Sequence, residues 1–312
     1  MSFTLFPGTR LVLARESLAG LSVGDALGAQ YFVPGNHPSD LLDARVPDPP
    51  WEWTDDTEQA CCLVAILAGS ADLSDQQFDR DRFAELLAER FEPYRGYGPG
   101  AVVMLRQIRE GLPWPIAAAA AFNGQGSCGN GAAMRAAPLG AWHADSLVHA
   151  ASAGARAAEV THAHPEGIAG GVAVTVAAAV AAAARLNGHR PDRGQLLRAT
   201  AGHTPAGVVH DGLIEAAGLT RITVAEAAER LGSGGQATAQ DTVPFALWVA
   251  DRFLDDYPAA VAACVAAGGD VDTTAAIAGG VVAAYTGLDG IPPGWLAARE
   301  PLPGWVAARD GE

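Results

Sequence analysis

Trp53-Thr54-Asp55-Asp56-Thr57-Glu58-Gln59 stands directly ahead of the apolar run Ala60 to Leu67. Two adjacent aspartates in front of an apolar segment call for a helix N-terminus or a cation. A helix beginning near Thr57 places Asp55 and Asp56 against free N–H groups and the positive end of the helix dipole. Capping alone accounts for one of them. A second acidic cluster, Gly268-Gly269-Asp270-Val271-Asp272-Thr273-Thr274, again precedes an Ala/Ile/Val/Gly run with helical character. Thr54, Asp55, Asp56, Asp270, Asp272 and Thr273 are all hard oxygen donors, which suit Mg²⁺ or Mn²⁺ and disfavour Zn²⁺. Six ligands from two helix-start loops exceed what one ion takes from protein, so the expectation is two ions bridged by a shared aspartate, roughly 4 Å apart. For either cluster alone, plain N-capping is the competing account.

The chain has 312 residues, 49% of them hydrophobic, enough for a large core. Alanine dominates the apolar stretches, and as the best helix former it predicts a mostly helical chain. The net charge is −15, and all 20 basic residues are arginine. An acidic surface repels phosphate backbones, which argues against nucleic acid as a partner. Cys61, Cys62, Cys128 and Cys264 have no metal-ligand spacing and read as packing residues in a reducing compartment. Met1 to Arg10 lacks the basic and apolar regions of a secretion signal. The Ala/Val run Gly170 to Ala184 falls short of the ~20 residues a membrane span requires. The expectation is a cytoplasmic monomer without membrane contact.

Along the chain, Leu11 to Leu27 carries Leu11, Ala14, Leu18, Leu21 and Ala26 at helical spacing. Pro34 to Pro50 reads as a loop, the helix of the opening stretch ends at Gly69-Ser70, and Phe78 to Phe91 is an amphipathic helix stopped by Pro93. After a Tyr94 to Gly100 loop, further helices are predicted at Ala101 to Glu110, Ala132 to Leu139, Ser146 to Val160, Pro165 to Arg185, Thr204 to Ala217, Val224 to Leu231, Thr242 to Phe253, Tyr257 to Ala267 and Val271 to Tyr285. The tail from Ile291 packs at the surface or frays. Gly232 to Gln236 is the clearest break, but the composition on its two sides is the same, so residues 1–312 read as one domain.

Asn123-Gly124-Gln125-Gly126-Ser127-Cys128-Gly129-Asn130-Gly131 is too glycine-rich for a packed helix or strand. It reads as a loop whose backbone approaches something closely. Flexible N–H groups followed by a helix can cradle an anion such as a diphosphate, and a mere flexible turn is the alternative.

Gly24-Asp25-Ala26-Leu27-Gly28, Thr54-Asp55-Asp56-Thr57, the block Phe122 to Arg135, Thr161-His162-Ala163-His164-Pro165 and Gly268 to Thr273 together resemble the signature set of the ADP-ribosylglycohydrolases. That family includes the dinitrogenase reductase-activating glycohydrolase and the ADP-ribosyl-acceptor hydrolases. The likeness runs in order from Leu18 to Tyr285. It implies an all-α, orthogonally packed multi-helix bundle in a single domain, with a binuclear Mg²⁺ or Mn²⁺ cleft that takes ADP-ribose. Carried over, Thr54, Asp55, Asp56 and Asp272 would hold one ion, and Asp270, Asp272 and Thr273 the other. Gly126, Ser127, Cys128, Gly129, Asn130 and Gly131 would line the diphosphate and neighbouring ribose. Phe122 would stack on adenine, with core packing as its alternative, and His162 would reach the phosphate or ribose.

The residues around these have plainer readings: Asp25 hydrogen-bonding behind the metal site or capping a helix end, Arg135 paired with a buried carboxylate, and His164 shaping a helix start. One departure stands out. Family members commonly carry a glutamate shortly after the Gly-Asp-Ala-Leu-Gly block, where this chain has Phe32, flanked by Tyr31 and Gln30. The expected activity is metal-dependent hydrolysis of the bond between ADP-ribose and an acceptor, most often a protein side chain. Asp55 or Asp56 would then be the general base, with Glu52 or Glu58 behind them. The alternative is a binding or structural member that has lost turnover.

Overall fold

The computed structural model describes residues 4–69 and 78–307, so Ser70 lies outside the described residues. The all-α expectation holds: among the described residues there are no strands, only isolated bridges joining Trp51 to Arg299 and Gly129 to Thr238.

The first half runs α1 (Pro7–Ala29), α2 (Pro38–Leu42), α3 (Asp55–Gly69), α4 (Arg80–Arg90), α5 (Pro99–Arg109), α6 (Trp114–Gly124), α7 (Gly131–Met134), α8 (Ala137–Trp142) and α9 (Leu147–Glu159). The second runs α10 (Pro165–Leu186), α11 (Gln195–Ala201), α12 (Val208–Gly218), α13 (Val224–Leu231), α14 (Ala239–Arg252), α15 (Tyr257–Ala267), α16 (Val271–Thr286), α17 (Pro293–Ala298) and α18 (Gly304–Ala307).

Several boundaries differ from the sequence expectation for identifiable reasons. The helix expected over Ala132 to Leu139 is two short ones, because Pro138 has no N–H to continue the α7 ladder. The Pro34 to Pro50 loop contains α2, and α11 was not foreseen at all. α12 starts at Val208, after Pro205 and Gly207, four residues later than expected. As far as Ala307, where the described residues end, the tail packs against the protein. Trp51 donates its N–H to Ala298 and accepts from Glu300, both at 2.8 Å, and its ring is fully buried with Trp295 edge-on at 6.4 Å.

α10 is the long central helix, packed against α7, α8, α9, α11, α14 and α16. At 22 residues it is longer than its Ala/Val run suggested and is apolar enough to cross a membrane, yet 83% of its apolar window is buried inside the protein. One core cluster gathers α10, α14 and α16, and another fills the space between α3, α4, α5 and α9.

The pair that positions the site is α1 against α16. Gly20, Gly24 and Gly28 recur every four residues and form one stripe along α1. A Cβ on Gly24 would lie 2.2 Å from the Ala275 carbonyl oxygen, one on Gly20 2.5 Å from that of Gly279, and one on Gly28 2.7 Å from Asp272 Cα. The two backbones therefore touch, which no side chain in the stripe would permit. Asp25 is carried beside the start of α16 as a result. Gly24→Ala should cost about 3 kcal/mol or more, because backbone atoms cannot yield as a flexible side chain can. Gly8→Ala, whose Cβ would meet nothing within 4 Å, should cost nothing. Thermal denaturation of the two variants checks this contrast.

Candidate active site

Asp25 resolves the capping puzzle. It is wholly buried on α1, and its Oδ2 accepts from the Thr54 N–H (2.9 Å), the Thr57 N–H (3.1 Å) and the Thr57 hydroxyl (2.5 Å). Its Oδ1 accepts from the Thr54 hydroxyl at 2.8 Å. A carboxylate from another helix thus caps α3, and the carboxyls of Asp55 and Asp56 are left for other work. Burial pushes Asp25 up to about 6 despite the opposing pull of these four hydrogen bonds.

Asp25, Asp56 and Asp272 bring one carboxylate oxygen each to within 4.8 Å of one another. Asp56 is buried, its Oδ2 lies 3.2 Å from the Thr54 hydroxyl oxygen, whose one hydrogen goes to the nearer Asp25 Oδ1, and among the described residues its Oδ1 has no hydrogen-bond partner. Burial, and then repulsion from Asp25, Asp272, Asp55 and Asp270, pushes the Asp56 carboxyl well above the usual range. Asp272 is raised in the same way by burial and then by Asp270, and Asp55 is pushed up to about 7 by burial and then Asp25. Among the described residues none of the five aspartates forms an ion pair with arginine. Crowded acids without a cation, one of them with a buried oxygen left unpartnered, fit a hard divalent cation.

The remaining proposed ligands lie around this group. Asp55 Oδ2 accepts from Gln59 Nε2 at 3.1 Å, and the Thr273 N–H donates to Asp272 Oδ1 at 2.9 Å. Asp270 accepts from the Asn130 amide at 2.7 Å, and the same amide nitrogen donates to the Thr242 hydroxyl at 3.1 Å. Asn130, expected to line a diphosphate, here ties the glycine-rich loop to the second acidic cluster. Asp25, read from the sequence as a residue behind the site, belongs to the compact acidic group itself.

The loop is less open than its composition suggested. The N–H groups of Gly126, Gly129 and Asn130 already bond to Ala121 O (2.9 Å), Ser127 Oγ (3.1 Å) and Ala237 O (3.1 Å). Cys128 accepts from the Ala239 N–H at 2.9 Å, which pins the loop to the start of α14. Gly126 has φ +77°, and a Cβ there would strike His164 N at 2.5 Å. α6 unwinds just before the loop, where Phe122 and Asn123 adopt the left-handed region at φ 51° and 59°. Phe122 is 64% exposed, so it is not a core residue, and its strained backbone presents the ring outward.

His162 is buried, with Nε2 3.5 Å from where a Cβ on Gly129 would sit and 3.4 Å from that of Gly131. Burial, and then Arg135, pushes it down to about 3, so the ring is neutral at physiological pH. Arg135 does not pair with a carboxylate as expected; it bonds Gln59 Oε1, Thr161 Oγ1 and Ala157 O. His164 does shape a helix start, its Nδ1 accepting from the Glu166 N–H at 3.1 Å. Glu58 Oε2 accepts from the Tyr97 hydroxyl (2.6 Å) and the Glu92 N–H (3.1 Å), which ties this carboxyl to the Glu92–Tyr97 segment. Glu52 is exposed, and Phe32 is 57% exposed in the 3₁₀ turn that follows α1.

A family model described as ADP-ribosylglycohydrolase matches residues 8–309. The chain belongs to the ADP-ribosylglycohydrolase family. Within it, the chain is 28% identical to ADP-ribosylhydrolase ARH3 of Homo sapiens, over 92% of this chain and 88% of the relative. It is 31% identical to an uncharacterized protein of Archaeoglobus fulgidus, over 90% of both chains. It is also 26% identical to ADP-ribosylarginine hydrolase Tri1 of Pseudomonas putida, over 94% of this chain and 76% of that protein. A solved ADP-ribosylglycohydrolase-related protein complex aligns with TM-score 0.61 at 26% identity, covering 94% of each chain.

The raised aspartates make a thermodynamic prediction about the metal-stripped family member. Folded Asp25 and Asp55 hold protons up to about 6 and about 7, whereas unfolded carboxyls release theirs near 4. Between those limits the folded state binds more protons, so stability falls as pH rises. In chelator, Tm should drop from about pH 5 to about pH 8, and Mg²⁺ or Mn²⁺ should raise it more at the upper end, where the carboxylates are ionised. Differential scanning fluorimetry across this range tests it; a cation effect equal at both ends would contradict it.

Proposed function

We propose that this chain is a divalent-cation-dependent hydrolase that cleaves the glycosidic bond between ADP-ribose and an acceptor, in the first instance a protein side chain. The observation that carries the proposal is the group Asp25, Asp56 and Asp272, together with the Asp56 Oδ1 that has no partner among the described residues. Thr54, Asp55, Asp56 and Asp272 would hold one Mg²⁺ or Mn²⁺, and Asp270, Asp272 and Thr273 a second. Bound there, the ions would supply Lewis-acid stabilisation of charge developing at the ribose.

The chain's own residues do the rest. Asp25 holds the Thr54–Thr57 turn in place and thereby sets Asp56. The exposed Phe122 ring offers a stacking face for adenine, and Ser127, Cys128 and Gly131 in the loop that follows would line the diphosphate. His162, neutral and buried, offers a ring nitrogen beside that loop. Asp55 is half-buried, and its Oδ1 faces the loop at Gly96, where a Cβ would be 3.6 Å away. In this reading Asp55 would accept the proton of the attacking water. The free cysteines Cys61, Cys62, Cys128 and Cys264 support a cytoplasmic setting.

Phe32 favours a second reading, in which ADP-ribose binds but is not released from its acceptor. Its exposed ring occupies the place where the family commonly has a glutamate. A release assay on arginine- and serine-linked ADP-ribosylated substrates, with Mg²⁺, with Mn²⁺ and in chelator, separates the two. Metal-dependent release that falls ~100-fold or more in Asp56→Ala and Asp272→Asn is the expected result. Calorimetric binding of ADP-ribose without release from either substrate, with release appearing in Phe32→Glu, would establish the second reading instead.

A further inference from the structure

Arg135 is only 1% exposed, and among the described residues no carboxylate pairs with it. A buried guanidinium held by neutral acceptors is costly to maintain, so its partners call for an account. Its Nη1 donates to Gln59 Oε1, and its Nη2 donates to Thr161 Oγ1 at 2.7 Å and to the Ala157 carbonyl at 3.1 Å. Phe83 covers it from one side, with the ring centroid 5.1 Å away.

Each of the two side-chain partners relays that contact onward. Gln59 must turn its oxygen to Arg135, since an amide NH₂ there would oppose a donor with a donor. Its Nε2 then faces Asp55 and donates to Oδ2 at 3.1 Å. Thr161 already accepts from Arg135, so its single hydroxyl hydrogen is available to His162 Nδ1, 2.8 Å away. With Nδ1 accepting, the ring proton of neutral His162 lies on Nε2, the nitrogen that faces Gly129 and Gly131.

We propose that Arg135 is a positioning residue that sets two parts of the site at once: it orients the Asp55 carboxylate through Gln59, and through Thr161 it locks His162 as an Nε2–H donor toward the glycine-rich loop. The group recognised at Nε2 is an acceptor, a phosphate oxygen or ribose hydroxyl. The proposal rests on the reading above that Asp55 and His162 serve an ADP-ribose site.

The test is imidazole nitrogen NMR on the ¹⁵N-labelled full chain, with the His162 signals identified by their loss in His162→Gln. The wild type should show protonated Nε2 and bare Nδ1. Thr161→Val should abolish that pure tautomer, and Thr161→Ser should keep it. Gln59→Leu should lower kcat by about 10-fold or more while KM changes far less. Arg135→Lys should disturb both readouts; because it removes a buried fork it could also unfold the chain, and the Thr161 and Gln59 variants decide the matter without it. An Nδ1–H or charged His162 in the wild type, an unmoved tautomer in Thr161→Val, or an unchanged kcat in Gln59→Leu each overturns the proposal. Adding ADP-ribose to the wild type tests the underlying reading separately: a shifted Nε2 signal supports it, and an unmoved one beside an intact Nε2–H tautomer overturns the ligand's placement and not the relay.

Discussion

Four hydrogen bonds converge on the Asp25 carboxylate, and the site depends on them. Thr54 and Thr57 each donate a backbone N–H and a hydroxyl to it, so the turn that starts α3 is fixed to α1 through two oxygens. Charge-assisted bonds of this kind are roughly twice as strong as neutral ones. They need Asp25 at one depth only, and that depth is set by the backbone contact of α1 with α16 at Gly20, Gly24 and Gly28. The glycine stripe, the buried carboxylate and the start of α3 form one mechanical unit. Asp56 and Asp272 meet because the helices that carry them are both anchored to α1.

That arrangement separates the capping carboxylate from the acids of the α3 start. A helix N-terminus with acids in its first turn ordinarily uses them for its own N–H groups. Here Asp25 does so from a distance, which leaves Asp56 with an oxygen that no group among the described residues satisfies. The fold tolerates several buried or half-buried acids close together, each raised by burial and by its neighbours, only if protons or cations neutralise them. Function and instability share this origin.

The sequence displayed a good part of this. Oxygen-donor clusters at Thr54–Asp56 and Asp270–Thr273, the glycine-rich loop, and most long helices follow from local composition and periodicity. The missing parts are long-range or depend on one backbone angle. Nothing near Asp25 announces that Thr54 and Thr57 will come to it, and nothing near Asn130 announces Asp270, 140 residues away. Arg135 could be read as a charge seeking a partner, but Gln59 and Thr161 become its partners only through tertiary packing. Phe122 follows an Ala-rich apolar run that suggests core; the unwinding of α6 turns its ring outward instead. Pro138 was a visible break signal, and it split the expected helix after the loop.

The central claim is that Asp56 and Asp272 hold a divalent cation while Asp25 positions them. Electron paramagnetic resonance of Mn²⁺ titrated into the metal-stripped chain measures this directly, by counting free ion with and without each carboxylate. The account predicts high-affinity uptake by the wild type, lost in Asp56→Asn and Asp272→Asn. Wild-type protein that leaves Mn²⁺ free in solution, or uptake unaltered in both variants, would contradict it.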